Sequence, residues 1–153
     1  MRAGIITVIL AALAVAPASA QQADRAAAAS TPLSSVQALR CTFTLYVAAH
    51  WVDGEPEAVA GDDQFSFSIE TIDRAARRAR IVAATASTAA TAFFSDTGLN
   101  VIEQTPLGNF ILTTVFASGR TGDRFMAVHS RHLGDLSAPP SPSQYFGSCE
   151  VIP

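Results

Sequence analysis

The chain has 153 residues, 49% of them hydrophobic, with thirteen acidic side chains set against ten basic ones. Every basic residue is arginine, and the formal net charge is −3. Such a balance excludes nucleic acid as a natural partner, and the length allows one domain with a core of its own.

Arg2 precedes an apolar run from Ile5 to Ala16, and Pro17-Ala18-Ser19-Ala20 follows with small residues at the positions a signal peptidase accepts. Residues 1–20 therefore read as a secretory signal peptide cleaved after Ala20. The run is shorter than the roughly 20 residues a membrane span needs, so no membrane span is expected. The predicted location is periplasmic or extracellular, and the cleaved protein is expected to be soluble. From residue 21 to 36 the chain is Gln, Ala and Ser without apolar periodicity, which reads as a flexible leader ahead of a single β-domain over 37–153. An oxidising compartment makes a disulfide the natural reading of Cys41 and Cys149.

Period-two alternation begins after Leu39. Cys41, Phe43, Leu45 and Val47 fall on one face, with Thr42, Thr44 and Tyr46 on the other. An acidic loop is expected from Asp53 to Asp63. Phe65, Phe67 and Ile69 then alternate with Gln64, Ser66, Ser68 and Glu70, a half-buried strand. Between Asp73 and Ala92, Ala and Arg favour helix, whereas Ile81, Val82 and the threonines at 85, 88 and 91 favour two short strands, the preferred reading. Arg74, Arg77, Arg78 and Arg80 form a basic cluster there that suits a solvated turn or strand edge.

Asp96-Thr97-Gly98 predicts a three-residue hairpin with Gly98 left-handed, and Thr105-Pro106-Leu107-Gly108 predicts a type I turn. Asn109 to Ala117 is apolar on both faces. A turn at Gly119 to Gly122 leads to a strand from Phe125 to Ser130, and a proline-rich loop precedes a last strand from Tyr145 to Val151.

The sum is an all-β fold, a small antiparallel up-and-down β-barrel of seven to eight strands stapled by one disulfide, with a β-sandwich as the alternative. A bond from the first strand to the last favours the barrel, where those strands are neighbours.

Catalytic and metal patterns are weak. His129 and His132 are three apart, which on a strand places them on opposite faces and leaves no shared ion, with or without His50. They are expected as rim residues titrating near neutral pH. The carboxylates of Asp53, Glu55, Glu57, Asp62 and Asp63 do not match a calcium loop. Ser130 has no Gly-x-Ser-x-Gly elbow. No cofactor, metal or catalytic residue is assigned. Most Phe residues sit at core positions, which leaves Trp51 and Tyr145 as aromatic groups beside polar loops, with His50 adjoining Trp51. These three are the expected ligand-binding residues. The expected function is a non-catalytic, monomeric binding module for a small ligand or an envelope protein. A structural or inhibitory interaction domain and a small hydrolase are the alternatives.

Overall fold

A computed structural model describes residues 32–152. The expected signal peptide and most of the expected leader lie outside these residues. Eight antiparallel strands follow one another around a closed barrel: β1 (Leu39–Val52), β2 (Glu55–Asp73), β3 (Arg78–Val82), β4 (Ser87–Ser95), β5 (Gly98–Gln104), β6 (Phe110–Phe116), β7 (Arg124–Leu133) and β8 (Ser141–Val151). Each strand pairs with the next, and β1 pairs with β8 to close the ring. The barrel reading therefore holds over the sandwich, and the stretch from Asp73 to Ala92 contributes β3 and the start of β4, as its β-branched residues required.

The strands are steeply staggered. One row of cross-strand partners runs Asp73, Arg78, Thr91, Ile102, Leu112, Ser130, Gln144, Val47 and returns to β2 at Ala60, thirteen positions from its start (73 less 60). Closure with such an offset tilts the strands strongly and leaves some ends unmatched. The unmatched part here is a hairpin arm: β8 pairs with β1 only up to Ala48, and β3 pairs with β2 only from Ser68 onwards. Residues 55–67 thus pair with β1 alone.

This arm replaces the acidic loop expected from Asp53 to Asp63. The loop contracts to Asp53-Gly54, both at positive φ (51° and 87°), the geometry of a tight two-residue hairpin turn that Asp-Gly favours. The carboxylates of Glu55, Glu57, Asp62 and Asp63 lie on a strand, where charge deters edge pairing, and are not gathered in a loop.

β1 also departs from simple alternation. The register shifts between Phe43 and Leu45 against both neighbours: Thr44 is the extra residue against β8, whereas against β2 Asp63 and Gln64 stand opposite Thr44 alone. One extra residue reverses the alternation beyond it. Leu45 and Val47 therefore turn outward to solvent, and Tyr46 turns inward to pack on Tyr145 with ring centroids 5.9 Å apart. Gly61 faces Tyr46 across the arm, and a Cβ there would meet the Tyr46 ring at 3.0 Å, so the glycine makes room for it.

The β4–β5 hairpin differs from expectation as well. Ser95 pairs with Gly98, so the turn is Asp96-Thr97 alone, and Gly98 is not left-handed. Its need for glycine is steric: a Cβ would lie 2.3 Å from the Val115 carbonyl oxygen. The Thr105 to Gly108 turn forms as read, closed by the Gly108 N–H donating to the Thr105 carbonyl at 2.9 Å. β7 and β8 are longer than expected, with Pro142 inside β8 opposite His132.

Inward residues fill the barrel: Leu39, Cys41, Phe43, Phe67, Ile69, Leu99, Val101, Val115 and Phe125 are buried. At one end, a single 3-10 turn (Leu33–Ser35) lies against β5 and inserts Leu33, with Val36 buried beside it. Those two apolar residues, within the stretch read as leader, act as a plug. Cys41 and Cys149 face each other across the β1–β8 seam, Cα atoms 4.0 Å apart, and form the expected disulfide. No described helix is long and apolar enough to cross a membrane.

Candidate functional site: the open end of the barrel

The end opposite the plug has a different chemistry. The loops here, residues 83–86 and 134–140, are exposed, and the change is on the inner wall of the strands. On that wall the apolar lining gives way to Glu103, Thr113, His129, Arg131 and Tyr145. Two adjacent rows supply them. Val101, Thr113, His129, Tyr145 and Tyr46 are successive cross-strand partners, and Glu103, Ile111, Arg131 and Ser143 form the next row towards the open end.

His129 is buried, with 3% of its surface exposed. Its Nδ1 lies 2.9 Å from the Thr113 hydroxyl, and its Nε2 has no hydrogen-bond partner among the described residues. The rings of Phe43, Phe65, Phe67 and Tyr145 surround it, with centroids 5.3–6.0 Å from the imidazole. Burial among rings disfavours the imidazolium, and the Arg131 charge adds to that, so the pKa falls to about 4. This corrects the rim reading for His129, which is a neutral core residue at physiological pH. His132, on the opposite face as expected, is exposed.

Arg131 is half-buried above this layer. Its guanidinium carbon lies 5.3 Å from the Phe65 ring centroid and 5.1 Å from that of Tyr145, and Nη1 donates to the Tyr145 hydroxyl at 3.4 Å. Two aromatic faces hold the cation by its π contacts. No carboxylate approaches within ion-pair distance of it among the described residues. Glu103, buried on β5 in the same row, has its pKa raised by desolvation, an effect that the Arg131 charge partly opposes.

The expected binding residues are dispersed. Tyr145 lies at the centre of this cluster, in edge contact with Phe65 at 4.7 Å. Trp51 lies near the tip of the arm, 40% exposed, opposite Pro56, and its indole N–H donates to the Pro140 carbonyl at 2.9 Å. His50 is beside it, 3.5 Å from the Glu57 carboxylate across the hairpin. Five strand positions separate Trp51 from Tyr46, the β1 partner of Tyr145, a distance of about 17 Å at the usual rise. The structure thus separates Trp51 and His50 from Tyr145. Sequence reading missed Arg131 and Tyr46. Arg131 and Glu103 follow the inward parity of His129 and Val101 and were readable from alternation, whereas the bulge hid Tyr46.

Among the described residues no three His, Cys, Asp or Glu side chains converge in a manner suited to a metal ion. What the open end offers is recognition chemistry: one cation, aromatic faces and a few buried polar atoms. No protein-family model matches the chain, and no curated protein matches it either.

Proposed function

We propose that the protein is a monomeric, non-catalytic binding module of the periplasm or cell exterior, exported by its signal peptide, that holds a small ligand at the open end of the barrel. The observation that carries this reading is Arg131, a half-buried guanidinium lying over Phe65 and Tyr145 at the end of the barrel opposite the plug. Aromatic walls with one convergent charged group are what small-ligand sites are built from. The Phe43, Phe65 and Phe67 layer supports a shallow site, because it fills the barrel beneath.

A second reading, docking of an envelope protein, draws on residues 55–67 of β2. Among the described residues their outer backbone edge pairs with no other strand, and an added strand could extend it.

Native mass spectrometry of the protein isolated from its host's envelope, compared with its denatured mass, tests the first reading. A small mass lost on denaturation is the expected result. A bare chain, together with a co-purifying protein, would move the assignment to the second.

A further inference from the structure

Resting on the mouth as a small-ligand site, we propose that it selects an organic monocarboxylate. The Arg131 guanidinium takes the carboxylate, and the rings of Phe65, Tyr145 and Tyr46 take the apolar body attached to it.

Arg131 has unmet hydrogen-bonding capacity. A guanidinium has five N–H donors, and among the described residues Arg131 commits one hydrogen bond, a long one, to Tyr145. Holding a cation partly out of water with no carboxylate at ion-pair distance among the described residues is costly. The aromatic faces offset part of that cost while leaving the in-plane N–H groups free, and a carboxylate matches their fork.

The surroundings fix the charge of the ligand. Glu103 lies in the same inward row as Arg131 and shares its field. A phosphate dianion would meet one cation beside a carboxylate, whereas a monoanion needs only the one cation. The surroundings also fix its shape, because the groups flanking Arg131 are rings. One row deeper, the buried Nε2 of His129 lacks a partner among the described residues, a second uncommitted polar atom on the same inner wall.

Isothermal titration of the exported full chain with three matched probes, phenylpropionate, phenylpropanol and phenylpropyl phosphate, tests the proposal. The acid should bind at least about tenfold more tightly than the alcohol or the phosphate, the scale of one charge-assisted bidentate contact. Arg131→Gln should erase that preference. Arg131→Lys should keep the charge, lose the fork and retain part of it. Glu103→Gln should instead strengthen acid binding severalfold by removing a competing carboxylate. Opposite signs for two neighbouring substitutions would not arise from a shared loss of folding, and unchanged circular dichroism would confirm this. Equal binding of acid and alcohol would overturn the anion assignment while leaving a small-ligand site in place. So would an undiminished preference in Arg131→Gln, or tighter binding of the phosphate. Failure of all three probes to bind would overturn it as well, and the mass measurement would then judge the underlying reading separately.

Discussion

Cys41 and Cys149 are direct cross-strand partners on β1 and β8, so their bond lies on the one seam that joins strands far apart in sequence. Every other strand pair is joined by a turn or short loop. The bond spans 108 positions, and on a chain-entropy account a loop of that size contributes about 4 to 5 kcal/mol.

Reduction should therefore shift the urea midpoint steeply downward, and the double substitution Cys41→Ser, Cys149→Ser should reproduce the shift without reductant. A loss of about 4 to 5 kcal/mol would approach the whole net stability of a small domain. A midpoint unmoved by reduction would show that the seam holds through strand pairing alone.

Gly147 offers a sharper test of packing. It lies next to the seam, and a Cβ there would sit 2.1 Å from the Thr42 carbonyl oxygen and 2.7 Å from the Phe43 Cα, both backbone atoms. Gly147→Ala should destabilise by about 1 to 3 kcal/mol, the usual cost of overpacking, or more because backbone must move. Gly54→Ala, with nothing within 4 Å of its Cβ but φ at 87°, should be limited to conformational strain. Thermal melts of the two variants separate the causes.

His129 sets a pH dependence whose sign is given by its depressed pKa. The unfolded chain takes up a proton near pH 6.5, whereas the folded protein resists until about 4. The stabilising contribution is full above pH 6.5 and is lost as pH falls towards 4, amounting to roughly 3 kcal/mol over that window. Glu103, with its raised pKa, has the opposite sign, losing stability as pH rises through the carboxylate range. Urea titrations from pH 7 to pH 4 should show a net fall in stability, and His129→Leu should flatten it. An unchanged slope in that variant would place the acid sensitivity elsewhere.

Trp51 is the sole tryptophan, and its indole ties the arm to the loop before β8 through Pro140. Because the contact is exposed, Trp51→Phe should cost under about 1 kcal/mol of global stability. Its effect should appear locally, as faster amide exchange over residues 134–140. Uniform exchange changes throughout the barrel would contradict a local tie.

The acidic edge of β2 predicts solution behaviour. Antiparallel pairing of two copies along residues 55–67 would bring like charges opposite one another. Replacing Glu55, Glu57, Asp62 and Asp63 together by Thr should therefore promote concentration-dependent association in size-exclusion chromatography. A variant that stays monomeric would assign the protection to Pro56 and the twist of the arm.

Much of this architecture was legible because β-alternation is a local signal. Phe65, Phe67 and Ile69 announce their inward face, and the two cysteines announce the seam. The bulge at Thr44 was hidden, since nothing in Phe43-Thr44-Leu45 marks an extra residue, and with it went the inward turn of Tyr46. The arm was hidden for another reason: Asp53-Gly54 is a strong hairpin signal, but the surrounding carboxylates looked like a solvated loop. At the mouth, Glu103 and Arg131 are brought together by pairing across Ile111, a relationship of register that no single strand contains.

The order of strands around the ring also dictates when the molecule can be finished. Seven strands laid side by side still present two open edges, the β1 edge and the β7 edge, with Leu39, Cys41 and Phe43 at one margin and Phe125 and Ala127 at the other. Only the arrival of β8 covers both at once. A sheet lacking β8 would be open to mispairing along two sides at once, and the strand that closes it is the one that brings Cys149 to Cys41.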